Sequence, residues 1–180
     1  LVDDLLDISR VTRGKLELRR DRILLSDVLA NAVETARPSI DALAHSLELS
    51  IPSAPIVLEA DLTRLAQVFT NSAKYTPRGG RIAVRVRRSG SDVIVSVSDN
   101  GIGIPSEALA RIFDMFSQVD RSIERATGGL GIGLALVRGL VEMHGGTVTA
   151  SSAGPGFGST FEVVLPLAEG DAAEPLTPMS

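Results

Sequence analysis

Three segments of the chain combine glycines or a helix end with side chains that can bind a ligand. They are residues 71–77 (Asn-Ser-Ala-Lys-Tyr-Thr-Pro), 99–103 (Asp-Asn-Gly-Ile-Gly) and 128–133 (Gly-Gly-Leu-Gly-Ile-Gly). An acid or an amide can select a base or hold a cation, and a glycine backbone lets an anion approach closely. In this order, with strands and helices between them, the segments predict a nucleotide pocket.

Asp99 ends a run of alternating apolar residues and stands just before two glycines. Its carboxylate can accept a hydrogen bond from an exocyclic amine and would repel a carbonyl, which selects adenine over guanine. The alternative is an ordinary turn, because Asp-Asn-Gly forms turns readily. The run at 128–133 leads into a predicted helix, whose N-terminal N–H groups can bind phosphate. The alternative there is a flexible hinge, and the run matches neither a Walker loop nor the dinucleotide fingerprint.

Residues 71–75 offer three complementary groups. The amide oxygen of Asn71 suits a hard cation, the ammonium of Lys74 suits phosphate, and the ring of Tyr75 is flat enough to lie beside a base. The alternative is simple surface polarity, so the functional interpretation depends on the order of all three segments.

The composition excludes several classes of protein. The 180 residues are 44% hydrophobic and 22% charged, which is typical of one globular domain with an appendage. The net charge of −4 argues against a nucleic-acid partner. The chain has no cysteine, which excludes disulfides and thiolate metal sites and fits a reducing compartment. No apolar run is long enough to predict a membrane span.

Periodicity and capping residues predict helices and antiparallel strands, and hence an α+β two-layer α/β sandwich. One helix ends at Gly14, a second begins at the cap Ser26-Asp27 and ends at Pro38, and a third begins at Asp61. The other predicted elements are strands at 47–51 and 56–58, a hairpin formed by 81–87 and 93–98, a helix from about Ile132 to His144, and a hairpin formed by 147–151 and 160–165. Arg81, Arg85 and Arg87 alternate with apolar residues and predict a solvated face of the sheet.

Together these segments resemble the catalytic ATP-binding domain of the sensor histidine kinases of two-component systems, within the gyrase, Hsp90, kinase and MutL (GHKL) superfamily. Residues 71–77 resemble the N box, 99–105 the first glycine box, 113–116 the F box and 129–134 the second glycine box. The resemblance covers about residues 1–167. It implies a Bergerat-type ATP-binding fold, in which a mixed, mostly antiparallel sheet is covered by helices on one face.

The resemblance also implies roles for individual residues. Asn71 would bind Mg²⁺, Lys74 would contact phosphate, Tyr75 would line the base pocket, and Asp99 would accept from the adenine amine. The remaining ATP-binding residues would be Gly101, Gly103, Arg125, Gly129, Gly131 and Gly133. A mobile lid would span about residues 105–130, with Phe113 and Phe116 anchoring it to the domain.

The N box departs from the family pattern of two asparagines four residues apart. Here Gln67-Val-Phe-Thr-Asn71 runs directly into Ser-Ala-Lys-Tyr, so the box is short by four residues. Removing four residues takes out one helical turn and rotates the preceding residues by about 40°, which lets the inward stripe survive. Gln67 would then stand in place of the first asparagine, and its amide can orient water but cannot act as a base.

Neither histidine of the chain fits the phosphoacceptor of this family. His45 precedes a predicted strand, and His144 ends a predicted helix, where it would serve as a C-terminal cation or a packing residue. Residues 1–18 resemble the end of the second dimerisation helix and its linker, which places the acceptor upstream of Leu1. The predicted catalytic domain is 19–167, and 168–180 predict a disordered tail or linker.

The implied function is transfer of the γ-phosphoryl group of ATP to a histidine on the dimerisation domain, with Asn71 and Lys74 as catalytic residues. The implied partners are that domain, a response regulator receiver domain and a second copy of the full-length protein. The expected compartment is the cytoplasm, whether or not the parent protein is membrane-bound. One alternative is a non-catalytic nucleotide-binding or docking module of the same fold. A second is another ATPase or a protein-serine kinase of the superfamily.

Overall fold

The computed structural model of the chain describes residues 2–72, 76–114 and 133–170. The helices in these ranges are α1 (Val2–Thr12), α2 (Leu25–Ala42), α3 (Leu62–Ser72), α4 (Ser106–Leu109) and α5 (Gly133–Met143). The strands are β1 (Asp21–Leu24), β2 (Ser46–Ser50), β3 (Val57–Ala60), β4 (Arg81–Ser89), β5 (Asp92–Asp99), β6 (Thr147–Ser151) and β7 (Ser159–Pro166).

Five of these strands form one sheet in the order β2-β4-β5-β7-β6, and β1 pairs with β3 in a separate ribbon. β2 runs parallel to β4, and every other neighbouring pair in the five-stranded sheet is antiparallel. Both predicted hairpins, β4–β5 and β6–β7, are confirmed. The sheet is therefore mixed and mostly antiparallel, as the sequence predicts.

One face of the sheet is apolar because its strands alternate in side-chain direction. Val84 lies opposite Val97 and Val86 opposite Val95, and all four are buried. The predicted solvated arginines Arg81, Arg85 and Arg87 are exposed. This arrangement leaves the apolar face to be covered by helices.

Helices α2, α3 and α5 cover that face, since their buried residues form one hydrophobic core with the valines of the sheet. Helix α3 packs against both α2 and α5, and α1 packs against α5. The α+β two-layer sandwich is confirmed. Among the described residues, no helix has both the length and the apolar composition needed to cross a membrane.

The N-cap predicted for α2 at Ser26-Asp27 is wrong. The helix begins at Leu25, and the residue before it makes no side-chain capping bond. The N–H of Leu25 instead donates to the carbonyl of Ile56, at 2.9 Å. A backbone contact from the loop before β3 thus replaces the predicted Ser26-Asp27 cap.

The predicted end of α2 at Pro38 is also wrong, because the helix continues through Pro38 to Ala42. A proline removes one helical hydrogen bond and usually kinks or ends a helix. In the next turn Ile40 is buried, with 8% of its surface exposed. Burial of this apolar side chain offsets the lost hydrogen bond, and local sequence signals do not reveal that contribution.

Three helices end in a residue with left-handed backbone: Gly14 (φ 66°), Ala44 (φ 52°) and Gly145 (φ 77°). The helix ends predicted at Gly14 and before Gly145 are confirmed. After α2 the N–H of Ala44 donates to Asp41 and that of His45 to Ile40, which is the Schellman motif. The β-carbon of an alanine makes this conformation unfavourable by about 1 kcal/mol.

Helix α3 begins as predicted, because Asp61 is its N-cap. The Asp61 carboxylate accepts from the N–H of Arg64 at 3.2 Å. The inward stripe predicted for α3 is confirmed at Leu65, Val68 and Phe69, which are buried. Gln67 and Asn71 are four residues apart, which is the family spacing, so the chain lacks no helical turn between them. The predicted start of α5 near Ile132 agrees with the observed Gly133 within the usual uncertainty of a helix end.

The two ends of the described chain are packed against the domain. In α1, Ile8 is buried, whereas Leu5 and Leu6 are 42% and 51% exposed. Beyond β7, Ala168 is buried, and its N–H donates to the carbonyl of Val57 at 3.0 Å. Residues 171–180 of the predicted tail lie outside the described residues.

Candidate functional site

Asp99 ends β5 in the middle of the sheet, opposite Ile82 on β4 and Ser159 on β7. Its carboxylate is fixed by two donors: the N–H of Gly101 lies 2.8 Å from Oδ1, and the hydroxyl of Ser159 lies 2.7 Å from Oδ2. A carboxylate oxygen can accept more than one hydrogen bond. The half-buried Asp99 is therefore held in one orientation and keeps acceptor capacity for a ligand amine.

The first glycine box packs against the turn between β6 and β7, residues 152–158. The N–H of Gly158 donates to the carbonyl of Gly101 at 3.1 Å, and that of Gly156 donates to Ile102 at 2.7 Å. Gly103 has φ 71°, and a β-carbon there would overlap the carbonyl oxygen of Gly154. Gly103 is thus required by the contact with this turn, in addition to its predicted role toward a nucleotide.

Ser159 and the turn before it are the site residues that the sequence analysis missed. Gly158 has φ 70°, and a β-carbon there would overlap the carbonyl oxygen of Asp99. Ser152 ties the turn to the first glycine box, since its hydroxyl donates to Gly158 and accepts from Ile104. The signal was a further glycine cluster, at 154, 156 and 158, directly before a strand, but only the pairing of β7 with β5 connects it to Asp99.

Asn71 lies in the last turn of α3 and is 7% exposed. Within the described part of the chain, its Nδ2 is a buried donor that has no hydrogen-bond partner. The two ends of an amide are distinguished only by their partners, so a rotation of the amide would place Oδ1 at the same point. An unpaired amide oxygen is a suitable ligand for Mg²⁺, and Asn71 therefore fits its predicted metal role.

Gln67 lies one turn before Asn71 on the same helix. Its Oε1 accepts from Nη1 of Arg64 at 3.3 Å, and the same Nη1 lies 2.8 Å from Oδ2 of Asp7 in α1. Arg64 thus connects α1 to the amide that stands in place of the first N-box asparagine.

The loop after α3 contacts the first glycine box, so the segment that follows Asn71 lies at the end of the sheet where Asp99 stands. Oδ1 of Asn100 accepts from the N–H of Arg81 at 2.7 Å. A β-carbon on Gly80 would lie 2.5 Å from Cγ2 of Thr76 and 3.4 Å from Oδ1 of Asn100. Two of the three ligand-binding segments are therefore neighbours in space.

Of the other predicted site residues, only some lie within the described ranges. Gly133 begins α5, and its backbone is therefore part of a helix N-terminus, as predicted. Phe113 of the predicted F box packs edge-on against Phe161 of β7, with ring centroids 6.3 Å apart. Outside the described residues are Lys74, Tyr75, Phe116, Arg125, Gly129 and Gly131.

His144 is a packing residue and not a helix cation. It is 3% exposed, Nδ1 donates to the carbonyl of Leu140 at 2.7 Å, and Nε2 accepts from the N–H of Asp61 at 3.1 Å. Burial lowers the pKa of its imidazole, although the bond to Leu140 raises it. The charge of Arg20 lowers this pKa further, so the ring is neutral near neutral pH.

Comparisons with known proteins agree with this geometry. The sequence model of the histidine kinase-, DNA gyrase B-, and HSP90-like ATPase family matches residues 61–169. The non-motile and phage-resistance protein of Caulobacter vibrioides is 38% identical over 95% of this chain and 21% of its own length. The circadian input-output histidine kinase CikA of Synechococcus elongatus is 38% identical over 99% of this chain and 24% of its own length.

A solved structure, full-length ShkA in complex with AMPPNP, superposes on 97% of this chain with a TM-score of 0.79 and 30% identity. The superposition covers 36% of the ShkA chain. The present chain thus spans between a fifth and a quarter of the two curated relatives described above. The matched region alone therefore does not account for everything that these larger proteins do.

Proposed function

This chain belongs to the histidine kinase-, DNA gyrase B-, and HSP90-like ATPases, and from that premise we propose that it is the catalytic domain of a two-component sensor histidine kinase. The observations that carry the proposal are the fixed carboxylate of Asp99, at the end of β5, and the buried, unpaired amide of Asn71, in the last turn of α3. The first group selects the base, and the second binds the cation that accompanies the phosphates.

The adenine end of the ATP site is formed by Asp99. Because Gly101 and Ser159 already donate to its carboxylate, Asp99 stays in place when the exocyclic amine of adenine donates to it. A carbonyl at the same position of the base would be repelled, which excludes guanine. Tyr75 lies beside the base in this proposal.

The phosphate end is formed by Asn71, Lys74 and the second glycine box. Asn71 holds Mg²⁺, which supplies charge neutralisation to the phosphate oxygens when bound. Lys74 adds a compact positive charge, and Arg125 contacts phosphate from the lid. Gly129, Gly131 and Gly133 let the phosphates approach the N-terminal N–H groups of α5.

The reaction is transfer of the γ-phosphoryl group to an imidazole of the parent protein. The imidazole nitrogen forms a bond to the γ-phosphorus as the bond to the β–γ bridging oxygen breaks, and ADP leaves with that oxygen. A loose phosphoryl-transfer transition state needs mainly positioning and charge stabilisation. Gln67 cannot accept a proton as a base, which favours transfer over hydrolysis.

The same proposal includes the domain boundaries, the partners and the cellular compartment. Residues 1–18 are the end of a dimerisation helix and its linker, 19–167 are the catalytic domain, and 168–180 are a tail or linker. The partners are the histidine-bearing dimerisation domain upstream, a receiver domain that takes the phosphoryl group, and a second copy of the full-length protein. The domain works in the cytoplasm.

The substitution Asp99→Asn tests the placement of the base. The amide can still accept from Gly101, and the hydroxyl of Ser159 can turn to donate or accept, so the fold is retained. The amide then directs a donor at the donor of adenine, and we expect ATP to bind about a hundredfold more weakly in calorimetric titration.

The matched control is Asp92→Asn at the opposite end of β5, where the register places Asp92 across from Ser89. This control should leave the affinity unchanged, whereas wild-type affinity in Asp99→Asn would refute the proposed base site. ATP binding that does not depend on Mg²⁺ would favour the non-catalytic alternative. Acid-labile phosphate on an added dimerisation domain would establish transfer.

A further inference from the structure

The chain passes from α3 to β4 through residues 76–80, which we call the exit loop. This loop directly follows the N-box residues Lys74 and Tyr75, which the proposed function assigns to phosphate and base. It also contacts the first glycine box, because a β-carbon on Gly80 would lie 3.4 Å from Oδ1 of Asn100. The position of the exit loop therefore bears on both halves of the nucleotide site.

The end of α2 holds the exit loop through several hydrogen bonds. The N–H of Gly79 donates to the carbonyl of Leu43 at 2.7 Å, and the N–H of Ser46 donates to Gly80 at 3.0 Å. Nη1 of Arg78 donates to Ala42 at 3.2 Å from an exposed position. The two backbone bonds hold the last residues of the loop, and within the loop the N–H of Gly80 donates to the carbonyl of Pro77 at 3.0 Å. The start of the loop is also held by a side chain from outside it.

That side chain is His45. Its Nε2 lies 2.9 Å from the carbonyl oxygen of Thr76 and 3.0 Å from that of Pro77. Carbonyl oxygens only accept, so Nε2 carries the proton and donates to both. A single imidazole N–H thus holds two consecutive peptide groups at the point where the chain leaves the N box.

Two further observations indicate that His45 is placed for this contact. Its other ring nitrogen, Nδ1, is buried and has no hydrogen-bond partner among the described residues, which is unfavourable. The residue before it, Ala44, has a left-handed backbone that an alanine rarely adopts. Both features, the unpaired Nδ1 and the left-handed Ala44, are unfavourable, and both occur in the conformation that directs Nε2 to the exit loop.

We propose that His45 is a positioning residue of the nucleotide site, an inference that rests on the function proposed above. Asn71 is fixed by α3 and the Thr76-Pro77 pair by His45, so the four residues between them connect two fixed points. Losing the second fixed point adds conformational freedom to Lys74 and Tyr75, and ATP binding must then remove that freedom. His45 therefore strengthens ATP binding without touching ATP.

The test compares His45→Gln with His45→Leu. Glutamine has an amide N–H at nearly the position of Nε2, whereas leucine has similar bulk and no donor. We expect His45→Leu to bind ATP about tenfold more weakly in calorimetric titration and His45→Gln to stay within about threefold of the wild type. The control Arg78→Ala removes an exposed bond from the same loop and should leave affinity unchanged.

A second measurement is independent of ATP. Amide hydrogen exchange at Gly79 and Gly80 should be faster in His45→Leu than in His45→Gln, because only the amide restores the bond to the loop. If His45→Leu does not fold, His45→Glu replaces it, since a carboxylate of the same length as glutamine cannot donate.

Equal affinity of the donor and non-donor variants, together with equal exchange, would overturn the inference. Failure of the wild type to bind ATP would instead refute the proposed function. The exchange comparison would then still decide whether His45 orders the exit loop.

Discussion

Single polar atoms determine what this site can recognise. Asp99 is oriented by one donor from its own loop and by one from Ser159, which is 60 residues away in sequence. Asn71 has the opposite character, because its buried Nδ2 has no partner among the described residues. One group is held ready to accept from a base, and the other is left for a ligand to complete.

His144 gives the fold a dependence on pH. Burial lowers the pKa of its imidazole below the ordinary value of about 6.5, so the folded protein resists protonation there. As the pH falls below about 6.5, the unfolded chain binds a proton that the folded chain does not. We expect the free energy of unfolding to decrease by up to about 1.4 kcal/mol per pH unit in this window.

The measurement is urea unfolding between pH 5.5 and 7.5. His144→Gln removes the titrating group and keeps an acceptor for the N–H of Asp61, so the slope with pH should become smaller. An unchanged slope in this variant would show that other groups cause the pH dependence.

Among the described elements, the turn at 152–158 helps to shape the site. Ser152 and Gly158 join it to the first glycine box, and Ser159 begins the strand that orients Asp99. The close approach at Gly158 exists because β7 is paired directly with β5.

Gly158→Ala should therefore destabilise the protein strongly. Its β-carbon would overlap the carbonyl oxygen of Asp99, and its φ of 70° is unfavourable for alanine. We expect a loss of about 3 kcal/mol in the free energy of unfolding, measured in urea. Gly156→Ala is the matched control, because Gly156 has a similar φ of 86° with open space around it.

The control should lose only about 1 kcal/mol, from backbone strain alone. Equal losses in the two variants would mean that the contact between the turn and Asp99 does not constrain the site.

At the scale of the whole molecule, helix α1 is attached to the helices that cover the sheet. Val11 of α1 lies against Gly139 of α5, where a β-carbon would lie 2.6 Å from Cγ1 of Val11. Asp7 pairs with Arg64 of α3, and their side chains are 14% and 23% exposed. Helix α1 is therefore joined to the layer that carries the N box.

A double-mutant cycle measures this attachment. We expect Asp7→Ala and Arg64→Ala to be coupled by about 1 kcal/mol in the free energy of unfolding, because the pair is partly shielded from water. The pair Arg87–Glu162, on the exposed face of the sheet with 64% and 39% exposed side chains, is the control. Coupling no larger than in the control would mean that Asp7 does not help to hold α1.

The sequence by itself determined most of the elements and the order of the ligand-binding segments. The hairpins, the cap at Asp61 and the glycine stops at Gly14 and Gly145 are local signals, because they depend on residues within one turn or two strands. The roles of Asn71 and Asp99 followed from their chemistry and from the resemblance to a family, and they remain predictions for experiment.

The tertiary structure alone decided which distant residues meet. It continued α2 through Pro38, with Ile40 buried in the next turn, and it placed Ser159 opposite Asp99 through the order of the strands. It also gave the two histidines their partners, Thr76 and Pro77 for His45 and Asp61 for His144. These contacts join residues 31 to 83 positions apart, and local patterns contain no information about such pairs.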